Sequence, residues 1–183
     1  MEQMSVLVLM DSNRKFVDFD AMFPNASVSV VPCRDVIAGR EAVLSAKHAD
    51  VVLIHLGTND LNAYSPQEFV EQLGHLVSLI ANSLSSDIFV SEVLPRSDNR
   101  SNEVAVTNEI LRSVVPHANL ISHNDITVDY LYDKVHLRFG SLHNQRRSGV
   151  EILARDLYRA VYDEECPVGI KLSRYPRYTN AGK

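Results

Sequence analysis

Ser12, Asp133 and His136 are the residues of this chain whose types and spacing suit nucleophilic catalysis. Ser12 follows the apolar run VLVLM and Asp11, so its hydroxyl stands where a buried strand gives way to a turn. In DKVHL, Asp133 and His136 are three apart. One turn of chain can then set the carboxylate against one ring nitrogen and leave the other free to take a proton from Ser12. Between them, VVLIHLGTND carries another apolar run into Gly57, Thr58, Asn59 and Asp60, at the same edge of a parallel sheet. Each piece has an ordinary alternative. Asp-Ser and GTND are good turn sequences, with Asn59 tolerating a left-handed backbone and Asp60 capping the next segment. An Asp near a His can also be a surface pair worth under about 1 kcal/mol.

The elements that must position these groups alternate strand and helix. Apolar runs over 5–10, 27–31, 51–56, 88–93 and 119–122 predict five strands, mostly buried on both faces, and hence a parallel sheet. Helical patterns fall over 35–46, 66–84, 103–114 and 150–162. Two helix starts are well marked: Ser65, Pro66 and Glu68 supply a cap, a first-turn proline and a capping-box acid, and Ser148 with Glu151 repeats the S-x-x-E signal. The α/β alternation predicts a three-layer α/β/α sandwich, whose sites gather beyond the carboxyl ends of the strands.

In this order the motifs MDSN, LGTND and DKVH resemble the SGNH, or GDSL-like, hydrolases over residues 5–162, nearly the whole chain. The resemblance implies a flavodoxin-like sandwich and a serine esterase. In that family the nucleophile lies in a G-D-S block, here with Met10 in place of the glycine. The resemblance places the oxyanion donors at the Ser12 amide, a second-block amide assigned to Cys33 in VPCRDV, and the Asn59 side chain. Asn13, Arg34 and Arg138 are candidate substrate contacts. MDSN, the VLPR stretch and VHL followed by GVEILARDL look most like the esterase domains in the first open-reading-frame proteins of some vertebrate LINE retrotransposons. That narrower likeness implies short acyl substrates such as acetyl esters, and lipid or membrane association within a ribonucleoprotein. No cofactor or metal is implied. A non-catalytic lipid- or partner-binding module on the same fold is the alternative function.

With 183 residues, 45% of them hydrophobic, the chain suits a single core. Its organisation is predicted as an esterase domain over 1–165 and a basic, tyrosine-containing tail over 166–183. A net charge of −5 argues against nucleic-acid binding by the domain as a whole. Self-association would then fall to flanking regions. Two well-separated cysteines make no disulfide framework or metal pattern, and MEQMSVLVLM lacks the form of a signal peptide. A cytoplasmic location is therefore expected. The remaining histidines show no metal-ligand spacing. His55 reads as a hydrogen-bonded core residue, and His123 to Asp125 either line the cleft or form a solvated loop. The segment 138–147, with three arginines, Phe139 and Leu142, can cover the site, meet an anionic surface, or be a plain surface loop.

Overall fold

Apolar runs and amphipathic stretches alternate along the chain as five strands and five α-helices among the residues that the computed structural model describes, 3–138, 140 and 147–173. The strands are β1 (Met4–Met10), β2 (Ala26–Pro32), β3 (Val51–His55), β4 (Asp87–Ser91) and β5 (Leu120–Ile121). They form one parallel sheet in the order β2-β1-β3-β4-β5. The helices are α1 (Phe19–Met22), α2 (Val36–Ser45), α3 (Pro66–Ser83), α4 (Ser101–Val114) and α5 (Gly149–Tyr162).

Two apolar cores lie on the two faces of the sheet. Val6, Val8, Met10 and Leu53 pack with Leu153 and Leu157 of α5, whereas Leu7, Leu9, Val52 and Ile54 pack with residues of α2, α3 and α4. Val6–Met10 of β1 and Val51–Ile54 of β3 are therefore apolar at every position, because side chains of both parities are buried. The edge strand β2 leaves Ser27 and Ser29 exposed. This is the three-layer sandwich the alternation predicts.

Both marked helix starts are present, in different forms. Ser65 and Glu68 close a full capping box, each side chain accepting from the other's amide. Ser148 accepts from the Glu151 amide at 3.2 Å, but the Glu151 carboxylate turns away to Arg155 and the Leu172 amide. β5 is shorter than the 119–122 run because its flanks bond through side chains: Asn119 Nδ2 donates to the Ile88 carbonyl and Ser122 Oγ to Glu92.

The boundary at 165 needs correcting. Cys166 and Leu172 are buried, the Asp18 amide donates to the Leu172 carbonyl at 2.8 Å, and Ser173 bridges Val17. The packed domain therefore continues to at least Ser173. The rest of the tail, 174–183, and most of the 138–147 segment lie outside the described residues. Among the described residues no helix is long and apolar enough to cross a membrane.

Candidate active site

Three adjacent strand ends build the site. The register pairs Met10 with Pro32 and with His55, so Ser12, Cys33–Arg34 and Gly57–Asn59 all emerge just beyond the same carboxyl edge. After β1 the chain enters a tight 3-10 turn, Ser12–Phe16, capped by Asp11, whose Oδ1 accepts the Asn13 amide at 2.9 Å. This turn lifts the Ser12 hydroxyl out of the sheet edge.

His136 arrives on a bend closed by a bridge between Leu131 and Leu137, both buried. His136 Nε2 lies 2.9 Å from Ser12 Oγ, and His136 Nδ1 lies 2.7 Å from Asp133 Oδ2. With the carboxylate accepting from Nδ1–H, Nε2 is the free acceptor for the serine proton. The other carboxylate oxygen accepts the Val135 and His136 amides, each at 2.7 Å. Burial opposes the Asp133 charge, but the Val135 amide, the His136 ring and the His136 amide outweigh it and hold the carboxyl below its usual range. Tyr132 stacks on the His136 ring, centroids 5.7 Å apart and planes 18° from parallel.

The structure brings Ser12, Asp133 and His136 together and sorts the other candidates. Asn13 is not a substrate contact: it is buried, its amide nitrogen donates to Asp11, and its oxygen accepts the Leu137 amide at 3.0 Å. It ties the Ser12 turn to the bend that carries His136. Arg138 donates Nε to the Leu131 carbonyl at 2.8 Å, supporting the same bend. The assignment of Cys33 as a donor also needs correcting, because its amide donates to the Met10 carbonyl at 3.0 Å and so extends the sheet ladder. Its thiol is buried and, chiefly through that burial, pushed up to about 11. The next amide, Arg34, makes no hydrogen bond among the described residues, and neither does that of Ser12. Asn59 Nδ2 donates one hydrogen to the Arg34 carbonyl at 2.9 Å, which fixes the amide, and its second hydrogen has no acceptor among the described residues.

Two buried groups, Arg96 at the end of VLPR and Asp60 at the end of GTND, hold this edge. Arg96 donates Nη1 to the Thr58 carbonyl at 2.6 Å and pairs with Asp98, bracing the loop before Asn59. Asp60 accepts the Val36 amide at the start of α2 with one oxygen, while the other is buried without a hydrogen-bond partner among the described residues. Burial pushes its carboxyl up to about 6. Because the folded value lies above the unfolded one, the folded chain binds the extra proton, and this contribution to stability is full below about pH 4 and lost as pH rises through about 6. Asp60→Asn, which cannot titrate, is therefore expected to gain stability relative to wild type between pH 4 and pH 7. Urea melts of both proteins at the two pH values measure this, and a pH-independent difference contradicts it.

No protein-family model matches the chain, and no curated protein matches it. Solved structures do. A lipolytic protein of the G-D-S-L family from Veillonella parvula superposes with a TM-score of 0.66 at 16% identity, covering 88% of this chain and 99% of that one. A carbohydrate esterase family 3 protein from Talaromyces cellulolyticus gives 0.68 at 14% identity over 87% and 97%. The fold is that of the SGNH hydrolases. A lipase/acylhydrolase from Enterococcus faecalis, with a TM-score of 0.64 at 16% identity over 90% and 98%, has the same fold.

Proposed function

We propose that the protein is a carboxylic-ester hydrolase working through an acyl-enzyme on Ser12. The observation that carries this reading is the 2.9 Å contact between Ser12 Oγ and His136 Nε2, with Asp133 behind the ring. Ser12 attacks the ester carbonyl as His136 takes its proton, and the imidazolium then protonates the leaving alcohol. Water, deprotonated by His136, releases the acid. The negative oxygen of each tetrahedral intermediate is met by the Ser12 and Arg34 amides and by the free Asn59 hydrogen. Short acyl groups such as acetyl are supported by structural neighbours, among them a carbohydrate acetylesterase from Sinorhizobium meliloti and an acetyl esterase mutant seen with acetate. A lipid or anionic membrane surface as partner, in a retrotransposon ribonucleoprotein, rests on the LINE-like residues MDSN and VLPR.

A panel of p-nitrophenyl esters of increasing acyl length tests the reading, with turnover expected to be highest for the shortest chains. No turnover above the buffer rate for any ester would overturn it. In the same assay Asn59→Ala is expected to lower kcat by roughly a hundredfold with a smaller change in KM, since the amide serves the oxyanion rather than the ground state. A change confined to KM assigns Asn59 to substrate binding instead.

A further inference from the structure

The two arms of the 131–137 bend set one ring against another. Leu131 bridges Leu137, and one position further in the Tyr132 amide donates to the His136 carbonyl at 3.0 Å, so Tyr132 and His136 stand opposite each other across a short antiparallel pair. Side chains alternate along each arm. Because Leu131 and Leu137 point into the core, Tyr132 and His136 both leave on the other face, where directly opposed residues touch. The stack of their rings, centroids 5.7 Å apart, follows from that register. Little else holds the imidazole. Asp133 binds Nδ1, but the side chains of His136 and Asp133 are 32% and 40% exposed, and a pair so open to water restrains its members weakly. A single hydrogen bond also fixes one edge of the ring and not the tilt of its plane, which decides where Nε2 points.

We propose that Tyr132 is a positioning residue for His136, its flat face setting the plane of the imidazole and thereby the line from Nε2 to Ser12 Oγ. The assignment rests on the reading of His136 as the base for Ser12. A planar neighbour suits this task, because two rings 18° from parallel resist tilting of either one, whereas an aliphatic side chain covers the imidazole without fixing its plane. Packing does not explain the residue. The Tyr132 side chain is 56% exposed, so it adds little to the core, and its hydroxyl has no hydrogen-bond partner among the described residues. The role therefore needs the ring and not the hydroxyl. Because Tyr132 acts through His136 and not on the ester, its effect falls on the chemical step and is the same whichever acyl group is transferred.

Tyr132→Ala, Tyr132→Val and Tyr132→Phe test this by two independent measurements. The first, the proton spectrum of the His136 ring, needs no turnover. An aromatic face lying over a ring moves its C–H signals upfield, so those of His136 are expected to move downfield in the alanine and valine variants and to hold near wild type in Tyr132→Phe. The second is hydrolysis of p-nitrophenyl acetate and propionate at a temperature where every variant is folded. Tyr132→Ala and Tyr132→Val are expected to lose about tenfold in kcat on both esters at unchanged KM, the scale of a small misplacement of a reacting group, and Tyr132→Phe to recover the loss. Valine keeps the strand preference of the arm, so it decides the matter if alanine loosens the bend. Ring signals indifferent to Tyr132, a loss confined to KM or to one ester, or a phenylalanine variant as slow as alanine would each overturn the proposal. So would full kcat in Tyr132→Ala beside an inactive His136→Ala. Undiminished hydrolysis by His136→Ala would instead locate the failure in the assignment of the base.

Discussion

Replacing Ser12 with alanine is expected to lower kcat for ester hydrolysis by roughly a millionfold, leaving only the rate that an oxyanion hole and binding supply without a nucleophile. The effect should be nearly pure chemistry. Among the described residues the Ser12 side chain bonds only to His136, and the turn beneath it is held by the Asp11 cap and by Asn13, neither of which the substitution touches. Thermal melting should therefore stay close to wild type. His136→Ala is expected to cost about as much, and the double variant little more, because the pair acts as a unit. Progress curves with p-nitrophenyl acetate, read beside a melting curve of each protein, check both halves. Undiminished turnover in folded Ser12→Ala would remove the serine mechanism altogether.

Gly57→Ala is expected to be the most damaging single methyl group at this edge. Gly57 has φ of +126°, a backbone that L residues rarely adopt, and a Cβ built there would meet Val93 Cγ2 at 2.5 Å and the Phe69 ring at 3.0 Å. Both neighbours are buried in the core between the sheet and α3, so neither can step aside freely. Backbone strain and overpacking together should cost about 2–5 kcal/mol. For a domain of this size that is a fall in melting temperature of roughly 5–15 °C. Any relief by backbone movement would displace Thr58 and Asn59, so activity should fall more than stability alone explains. Calorimetry gives the first quantity, and kcat well below the melting temperature gives the second. A variant as stable and active as wild type would mean that the loop has another accessible conformation.

The sheet and the Ser–His–Asp geometry were legible because each rests on local pattern. Continuous apolar runs mark strands covered on both faces, and the turn signals after them mark the edge where side chains converge. Met10, standing where the related block has glycine, disturbs nothing because it is a strand residue whose side chain fills the core. What the sequence hid depends on pairing. Whether Cys33 or Arg34 keeps its amide free turns on where the β1–β2 ladder ends, a difference of one residue that composition does not record. Asp60 reads as a cap for the segment after it and Arg96 as the end of VLPR, but nothing local shows that folding buries them against α2 and Thr58. His55 reads correctly as a buried, hydrogen-bonded residue, but its partners, Ser91 and through it His123 and Asp156, lie on other elements far along the chain. Asn13 shows the same limit, a polar residue beside the nucleophile whose true neighbour is Leu137.

That last contact spans 124 positions, as does the pairing of Ser12 with His136. During synthesis the strands β2, β1 and β3 are complete once residue 55 has been made, so the central part of the sheet can begin to assemble long before the base exists. Closing so long a loop is among the slower and later steps available to a chain. The nascent protein therefore passes through partly folded forms that carry the serine without the means to activate it. On the proposed reading, hydrolysis would switch on only when the 131–137 bend docks, and the appearance of esterase activity would be a clock for the end of folding.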